Sequence, residues 1–329
     1  MSKNVLITGA AGFIGFHLAK ALHARGDFVI GLDNFNDYYS PKLKSDRADL
    51  LNALGIVVEK GDICDAHALH ALVKTNQVTH VVHLAAQAGV RYSIEAPHAY
   101  VKSNLEGFVH ILELCRAFPH LKLVYASSSS VYGLNEKIPF SEKDPTDHQA
   151  SLYGATKKSN ELLASSYHHL YKIPVTGLRF FTVYGPFGRP DMAYYSFTKE
   201  ILSGNPIRLF NQGQMERDFT YIDDIIAGIV QAVDLEAAHE IFNLGNNRPV
   251  TLLEFVQTLE HAIGVSAKKT YLPMQKGDVT KTFADISHSQ KHLRFSPQTD
   301  LTKGLQKFVD WYRIYYDIPT PIDSETPKI

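Results

Sequence analysis

The chain has 329 residues, of which 45% are hydrophobic, enough to bury a large core in one or two domains. Its 33 basic and 34 acidic residues give a formal net charge of -1, which offers no support for nucleic-acid binding. Apolar runs are too short for a signal peptide or a membrane span, so we expect a cytoplasmic protein that does not contact membranes. The two cysteines lack metal-ligand spacing and no His-Glu-x-x-His occurs among the 16 histidines, so we expect buried, reduced thiols and no metal site.

The first predicted strand covers residues 4–7 and leads into the segment TGAAGFIG at residues 8–15. Helical periodicity follows over residues 16–25. The glycines are spaced so that the backbone can turn tightly and approach a pyrophosphate at a helix N-terminus. Their spacing differs from the G-x-G-x-x-G dinucleotide fingerprint, and a glycine-rich turn without a ligand is the alternative. The predicted cofactor contacts in this segment are Gly9, Gly12, Phe13, Ile14 and Gly15.

Three further predicted strands, over residues 28–32, 56–59 and 80–83, end in residues suited to the same dinucleotide. Asp33 follows the first of them and is placed to bind the adenosine ribose hydroxyls, where its charge would repel a 2′-phosphate. No Lys or Arg occurs over residues 31–40, so NAD is favoured over NADP. The other predicted contacts at these strand ends are Asn34, Asp62, Ile63, Leu84, Ala85 and Ala86.

A fifth strand, predicted over residues 122–126, runs into four consecutive serines, and a helix predicted over 151–171 carries Tyr153 and Lys157. Four residues apart on a helix, these two side chains share one face, which brings an ammonium near a phenol. A nearby cation lowers the pKa of a phenol, which can then exchange a proton with a sugar hydroxyl or ketone. Tyr-x-x-x-Lys also arises by chance, and serines also form strand-end turns. Because both follow a glycine-rich N-terminus, we favour a catalytic site.

Strand and helix alternate up to a sixth predicted strand over residues 175–179. This alternation predicts an α/β fold with a Rossmann-type, doubly wound parallel sheet. Beyond about residue 185, glycines and prolines separate shorter segments, which predicts a smaller C-terminal lobe that covers the substrate. A helix over residues 223–233 and a strand over 241–244 are expected to return to the main sheet.

These segments together resemble the extended short-chain dehydrogenases/reductases of the nucleotide-sugar epimerase and dehydratase group. The resemblance extends from Asn4 to about Tyr316 and includes RFFTVYGP at residues 179–186. Three more segments, residues 33–39, 87–93 and 188–193, resemble the UDP-glucuronate 4-epimerases of that group.

The resemblance implies how the chain is divided. Residues 1–180 would form an NAD-binding Rossmann domain, to which residues 219–246 return. Residues 181–218 and 247–318 would form a lobe that binds a UDP-sugar, and residues 319–329 a loose tail.

The implied reaction is epimerisation at C4 of UDP-glucuronate to UDP-galacturonate, by transient hydride transfer to tightly bound NAD through a 4-keto intermediate. Tyr153 would take the hydroxyl proton, and Lys157 would hold the nicotinamide ribose and keep Tyr153 acidic. Ser128 would share a hydrogen bond with the same hydroxyl, and Asn104 completes the implied cofactor contacts.

Ser129 and Ser130 replace the acids that related dehydratases and decarboxylases carry in this segment. Without a carboxylate there, elimination loses its acid/base pair. Hydroxyls that hydrogen-bond a sugar carboxylate stabilise its charge and fix its orientation, which would protect a 4-keto uronate from losing CO₂. Thr182 stands where UDP-glucose 4-epimerases usually have Asn, and is expected to join this hydroxyl cluster.

Contacts to the diphosphate and the uridine rest on the resemblance. Arg217 matches the family's phosphate-binding arginine, and a guanidinium suits phosphate geometry. Arg91 and Arg189 are further candidates, with the sugar carboxylate as an alternative partner of Arg189 and a surface ion pair as the alternative for each. Asp278 is expected to hold the uridine ribose, although Gln275-Lys-Gly-Asp278 stands where glucose epimerases show Arg-Pro-Gly-Asp.

Two other functions stay open at this point: a 4-epimerase of a neutral UDP-hexose, and a non-catalytic NAD-sensing scaffold on the same fold. An intact Ser-Tyr-Lys set speaks against the scaffold.

A C2 homodimer is also expected, because the family usually pairs the helices near residues 98–117 and 151–171. Both helices carry apolar residues beyond what one sheet face needs, namely Leu105, Phe108, Leu112, Leu162, Tyr167 and Leu170.

Overall fold

The computed structural model describes residues 2–274 and 280–319, and its strands are numbered here in chain order. They are β1 (Asn4–Thr8), β2 (Phe28–Asp33), β3 (Val58–Lys60), β4 (His80–His83), β5 (Lys122–Ser128), β6 (Val175–Phe180), β7 (Thr182–Tyr184), β8 (Ile207–Phe210), β9 (Glu216–Tyr221), β10 (His239–Leu244), β11 (Pro249–Thr251), β12 (Lys269–Leu272) and β13 (Lys281–Thr282).

The helices are α1 (Phe13–Ala24), α2 (Pro41–Ala53), α3 (Ala66–Thr75), α4 (Tyr92–Glu95), α5 (Pro97–Tyr100), α6 (Gly107–Ala117), α7 (Leu152–Tyr171), α8 (Ala193–Leu202), α9 (Ile222–Leu235), α10 (Leu252–Ile263), α11 (Ser287–Leu293) and α12 (Leu301–Tyr315). A π-helical segment, Val101–Glu106, joins α5 to α6, and short 3₁₀ turns cover Ser129–Tyr132 and Asn211–Gly213. Within the described ranges, none of these helices combines the length and apolar composition that a bilayer crossing requires.

Seven strands form the main sheet, in the order β10-β6-β5-β4-β1-β2-β3. Every neighbouring pair in it is parallel. The strand order reverses beside β1, and ligands of such sheets bind in the crevice outside the carboxyl ends of the strands. The predicted Rossmann-type fold is therefore confirmed, and β10 pairs with β6 at one edge of the main sheet.

Continuous apolar runs made these strands predictable, because strands of a parallel sheet are buried on both faces. Every residue of β6 is buried, and so are four of the five residues of β1. Most predicted boundaries shift by one or two residues, and two of the differences lie beside the predicted cofactor contacts. The strand predicted over 56–59 is found at Val58–Lys60, and Ile56 ahead of it is buried in the core. Helix α1 begins at Phe13, three residues earlier than predicted and inside the glycine-rich segment.

The C-terminal half adds two smaller sheets beside the main one. Strands β11, β9 and β13 lie side by side and β7 also pairs with β9, while β12 pairs with β8. Because β9 runs to Tyr221 in this second sheet, we propose that the chain returns to the Rossmann domain at Ile222, three residues later than expected. The predicted contact Asp278 and the tail beyond Pro319 lie outside the described residues.

Two apolar clusters hold these layers together. One covers one face of the main sheet and continues without interruption into the second sheet and α10 and α12. The other fills the opposite face and includes Phe108 and Leu112 of α6, both completely buried. Phe108 and Leu112 were counted among apolar residues beyond what one sheet face needs, and that interpretation is wrong for these two because they pack against the sheet.

Candidate active site

A cavity of about 800 Å³ is lined by the loops that follow the carboxyl ends of β1, β2, β4, β5 and β6. Its volume lies in the range of small-molecule sites. The predicted site residues that line it are Gly9, Gly12, Phe13, Ile14, Gly15, Asp33, Asn34, Asp62, Ile63, Leu84, Ala85, Ala86, Arg91, Ser128, Ser129, Ser130, Tyr153, Lys157, Thr182, Arg189 and Arg217. Asn104 is not among the lining residues, and Asp278 lies outside the described part of the chain.

The glycine-rich loop is shaped by contacts that exclude larger residues. Gly9 has a φ of +75°, and a Cβ there would lie 2.7 Å from the backbone nitrogen of Ala85. A Cβ on Gly15 would lie 2.2 Å from the carbonyl oxygen of Gly9. Gly12 is the N-cap of α1, so no side chain at that position accepts a hydrogen bond from the first-turn N–H groups. Since the first N–H groups of a helix have no intrahelical acceptor, this end of α1 fits the pyrophosphate of a dinucleotide.

Asp33 stands at the end of β2, facing the same loop. Its carboxylate accepts the backbone N–H of Ala11 at 3.0 Å and that of Phe35 at 2.9 Å. Burial raises the pKa of Asp33, while these bonds and the charges of Lys44 and Arg47 oppose the rise. Lys44 also lines the cavity, so a cation does approach this end although residues 31–40 contain none. Residues 31–40 do not include Lys44, which comes close to Asp33 because α2 folds back over the glycine-rich loop.

Tyr153 lies in the first turn of α7, which begins where Ser151 accepts the backbone N–H of Gly154 at 3.1 Å. Lys157 lies one turn later on the same helix and is buried. The partial positive charge at a helix N-terminus favours a nearby anion. Tyr153 thus belongs to the turn of α7 where this partial charge is found, a placement that the Tyr-x-x-x-Lys spacing alone does not reveal.

The groups that tune Tyr153 differ from the sequence-based expectation. Burial raises the pKa of Tyr153, while a hydrogen bond with Ser128 and the charge of Arg189 lower it. Lys157 instead donates from Nζ to the carbonyl oxygen of Ala126 at 2.9 Å, and burial lowers its own pKa to about 8. Burial thus outweighs the other effects and the pKa of Tyr153 is raised, while the hydrogen bond with Ser128 and the charge of Arg189 oppose part of the rise.

A buried ion pair fixes the serine segment against α7. Arg179 contacts both carboxylate oxygens of Glu161 at 2.8 Å, and Ser127 donates to the same carboxylate at 2.6 Å. This network ties the end of β5 to the helix that carries Tyr153. Next to it, the hydroxyl oxygen of Ser128 accepts the backbone N–H of Ser130 at 3.1 Å. The hydroxyl of Ser128 thus accepts from Ser130 and can donate its own proton in the hydrogen bond with Tyr153.

The remaining hydroxyls predicted for the site lie close by in the fold. Ser129 and Ser130 open the 3₁₀ turn after β5, and Thr182 opens β7. All three are half-buried and line the cavity that also contains Tyr153. These hydroxyls thus line one cavity although they come from two separate parts of the sequence, and their joint role as a cluster around a carboxylate stays a prediction.

Arg189 is held by a carboxylate at the edge of the cavity. Its guanidinium donates to both oxygens of Asp191, at 3.0 and 2.5 Å, and the Tyr38 hydroxyl donates to the same carboxylate at 3.1 Å. Arg217 donates to the carbonyl oxygen of Glu216 at 2.9 Å.

Arg91, the third predicted arginine, is exposed, with its guanidinium 5.1 Å from the ring centre of Phe210. All three arginines border the cavity, and each already has contacts within the protein.

Comparison with known proteins places the chain in a family. Residues 5–245 match the sequence model of the NAD dependent epimerase/dehydratase family. The chain belongs to this family. It is 54% identical over 331 residues to UDP-glucuronate 4-epimerase 4 of Arabidopsis thaliana, across 95% of this chain and 76% of that protein.

Two solved structures are similar to the chain as well. One is the UDP-glucuronic acid 4-epimerase of Bacillus cereus in complex with UDP-glucuronic acid and NAD, with 36% identity, a TM-score of 0.89 and coverage of 95% of this chain and 100% of that one. The other is the UDP-glucose 4-epimerase of Thermotoga maritima with UDP-glucose, with 29% identity, a TM-score of 0.86 and coverage of 95% and 99%.

In this NAD dependent epimerase/dehydratase, Asn104 lies behind the residues that line the cavity and does not line it itself. Its side chain accepts the backbone N–H of Gln87 at 2.8 Å and donates to the Gln87 carbonyl and to Thr156, each at 3.0 Å. With its amide engaged in this way, Asn104 fixes the loop after β4 to α7. The prediction of a direct cofactor contact is therefore replaced by a positioning role.

Several cavity residues of this family member escaped the sequence analysis. Tyr38 and Asp191 occur inside segments that carried the resemblance, but nothing in the sequence showed that they meet. Arg208 and Phe210 line the cavity from alternate positions of β8, a strand that was not predicted. Among the described residues, no group of three or more His, Cys, Asp or Glu side chains is arranged to hold a metal ion.

Proposed function

We propose that this protein is an NAD-dependent UDP-glucuronate 4-epimerase that interconverts UDP-glucuronate and UDP-galacturonate. One observation carries the proposal: Tyr153 shares its cavity with the hydroxyls of Ser128, Ser129, Ser130 and Thr182. Residues 127–130 contain no carboxylate, which suits an anionic sugar. The similar proteins from Arabidopsis thaliana and Bacillus cereus, both named for UDP-glucuronate or its acid, support the same substrate.

The cavity fits a dinucleotide at its glycine-rich end. The N-terminus of α1 suits the pyrophosphate, since Gly12 leaves the first-turn N–H groups to another acceptor. Asp33 and Lys44 suit the adenosine ribose. Lys157 has N–H groups beyond the one given to Ala126 and would hold the nicotinamide ribose. When bound, NAD supplies a reversible acceptor for the hydrogen that leaves C4 with its electron pair.

Tyr153 performs the proton transfer. As phenolate it takes the proton of the sugar 4-hydroxyl while the C4–H bond breaks, which leaves a 4-keto sugar. Ser128 donates a hydrogen bond to the same sugar oxygen. Tyr153 then returns the proton as hydrogen re-adds to the opposite face of C4, so the configuration is inverted without net oxidation.

The hydroxyl cluster protects this intermediate. A 4-keto uronate is a β-keto acid, which loses CO₂ readily. Ser129, Ser130 and Thr182 would hydrogen-bond the carboxylate, stabilising its charge and fixing its orientation.

The arginines and Asp278 complete the proposed substrate contacts. We assign Arg217 and Arg91 to the diphosphate and Asp278 to the uridine ribose. Arg189 is the candidate for either the diphosphate or the carboxylate, and its bonds to Asp191 would rearrange on binding.

Incubation of the purified protein with UDP-glucuronate should test this function directly. We expect proton NMR to show conversion to a mixture with UDP-galacturonate, with no release of NADH, because oxidation and reduction cancel within one site. A UDP-sugar panel in the same assay serves as the control. Stoichiometric NADH with a stable oxidised sugar would instead identify a dehydrogenase.

We also propose a C2 homodimer, supported by apolar residues on the outer face of α7. Leu162 and Leu170 are 60% and 61% exposed, and Tyr167 is half-buried between them. Positions eight apart lie on the same helix face, so both leucines suit one partner surface. Leu105 is half-buried on the preceding π-helical segment.

Sedimentation at micromolar concentration should give twice the 36.8 kDa mass of the chain. The double substitution Leu162→Glu and Leu170→Glu should yield a monomer, because two charges would be buried without partners. Ile314→Glu, at an exposed position of α12, is the matched control and should remain dimeric. A wild-type protein that sediments as a monomer would contradict the proposal.

A cytoplasmic location is proposed as well. Cys64 and Cys115 are both free thiols, as expected for a reducing compartment. Cys115 is buried as predicted, whereas Cys64 is only half-buried beside Asp62.

A further inference from the structure

One buried arginine joins two loops of the active site. Arg47 of α2 has no exposed surface. One terminal nitrogen donates to the carbonyl oxygen of Ala11 at 2.9 Å and to the Tyr39 hydroxyl at 2.7 Å. The other donates to the carbonyl oxygens of Phe187 at 2.6 Å and Gly188 at 3.1 Å. A single guanidinium therefore bridges the glycine-rich loop and residues 186–188, here called the 186–188 loop.

Stability alone does not account for this arginine. Its four hydrogen bonds end on uncharged oxygen atoms, and its Nε has no hydrogen-bond partner among the described residues. A buried charge without a directly bonded carboxylate is costly, and well-packed apolar side chains often serve as well or better in such places. What Arg47 achieves, and an apolar residue would not, is a fixed geometry between the two loops.

His17 holds the same loop from α1. Its Nε2 lies 2.9 Å from the carbonyl oxygen of Pro186, and burial lowers the pKa of His17 to about 4. The ring is therefore neutral at pH 7, and the nitrogen facing the carbonyl carries the hydrogen. Phe187 adopts a φ of +56°, a left-handed conformation that is strained for a bulky residue. Three successive carbonyls thus point at α1 and α2.

The 186–188 loop leads directly to Arg189. A Cβ on Gly188 would lie 2.0 Å from the Tyr194 hydroxyl, and the backbone N–H of Arg189 donates to that hydroxyl at 3.2 Å. Arg189 in turn lies close enough to Tyr153 for its charge to lower the pKa of the phenol. A shift of the loop would therefore move the charge that Tyr153 senses.

We propose that Arg47 is a positioning residue which, together with His17, holds the 186–188 loop against the glycine-rich loop and α1. Occupation of the dinucleotide site thereby sets where Arg189 stands beside Tyr153. The kinetic consequence rests on the proposed function, whereas the coupling between the two loops does not.

Trp311 provides a readout that is independent of activity. It is the single tryptophan of the chain, and its ring centre lies 4.9 Å from that of Phe187. Titration of NAD into cofactor-depleted wild-type protein should change its emission. Arg47→Lys keeps the charge but cannot span both loops, so it should bind NAD by calorimetry and lose most of that change. A silent wild-type protein, or a variant with the full response, would overturn the proposal.

The pH dependence of kcat gives a second readout. Among the residues that the structure describes, the charged or titratable groups near Tyr153 include Lys157 on its own helix, Tyr100 from α5 and Arg189, which follows the 186–188 loop. Displacing Arg189 should raise the pH of half-maximal kcat by up to about one unit. It should also lower kcat about 10-fold or more, because small misplacements at a reacting centre are costly.

Two further variants keep this test decisive. His17→Phe removes the hydrogen bond to Pro186 but keeps an aromatic ring against Phe16. It should shift the pH profile in the same direction as Arg47→Lys, by a smaller amount. This variant keeps the proposal testable if Arg47→Lys folds poorly. Lys42→Met removes an exposed charge from α2 and is the matched control. Folded Arg47→Lys and His17→Phe proteins with the wild-type profile would overturn the proposal. If UDP-glucuronate is not a substrate, the Trp311 experiment still decides whether the loops are coupled.

Discussion

Replacing Tyr153 with phenylalanine is expected to lower kcat for epimerisation at least about 100-fold, because the proton acceptor for the sugar 4-hydroxyl is lost. Only a hydroxyl is removed, and the ring can keep its edge contact with Tyr100, whose centre lies 6.1 Å away. The fold and the dinucleotide site should therefore persist. Initial rates by proton NMR, with thermal melts and NAD binding measured in parallel, provide the check.

Tyr167→Phe is the matched control for this substitution. It deletes a hydroxyl from the same helix, where that hydroxyl donates to Glu113 at 2.7 Å and does not line the cavity. Its rate should stay close to that of the wild type. Ser128→Ala should be milder than Tyr153→Phe, since Ser128 shares the hydrogen bond rather than carrying the proton. A folded Tyr153→Phe protein that binds NAD and retains near-normal turnover would refute the assignment.

Substituting Ser130 with glutamate is expected to suppress epimerisation of UDP-glucuronate strongly. A carboxylate at this half-buried position would face the carboxylate of the sugar, and like charges are poorly screened in such a site. It would also remove a hydroxyl donor, a loss of about 1–3 kcal/mol where the partner is left unsatisfied. Part of the remaining turnover should release CO₂, because the keto acid is no longer held. Product NMR and CO₂ capture measure the two outcomes.

Ser130→Gln separates charge from size, since glutamine matches glutamate in shape without its charge. It should retain more epimerase activity than Ser130→Glu and release less CO₂. Equal activities in the two variants would show that bulk alone matters at this position. The hydroxyl cluster would then lose its electrostatic role.

Local patterns account for the parts of the fold and site that were predictable. The main-sheet strands stood out because burial on both faces selects continuous apolar runs, as in β1 and β6. Tyr153 and Lys157 share one helix, so their spacing alone fixed their relation. The glycine-rich loop was recognisable because only glycine satisfies the close approach of Gly15 to Gly9.

Contacts between distant segments were beyond such patterns. Lys44 and Arg47 approach Asp33 because α2 packs back against the end of β2. The sequence segment around Asp33, residues 31–40, does not contain them. The Lys157 ammonium donates to the carbonyl oxygen of Ala126, and the charge of Arg189 acts on Tyr153. Both interactions depend on the directions of side chains in three dimensions. The burial of Phe108 and Leu112 likewise depends on which helix face meets the sheet.

Substrate choice tests the central claim most directly, through kcat/KM for UDP-glucuronate and UDP-glucose under identical conditions. The neutral sugar leaves the hydroxyls of Ser129, Ser130 and Thr182 without an anionic partner, and charge-assisted hydrogen bonds are the stronger kind. At about 1–3 kcal/mol for each lost contact, two or three contacts predict a preference of about 100-fold or more for UDP-glucuronate. Equal values, or a preference for UDP-glucose, would contradict the account and identify a neutral-hexose epimerase whose serine segment is only a strand-end turn.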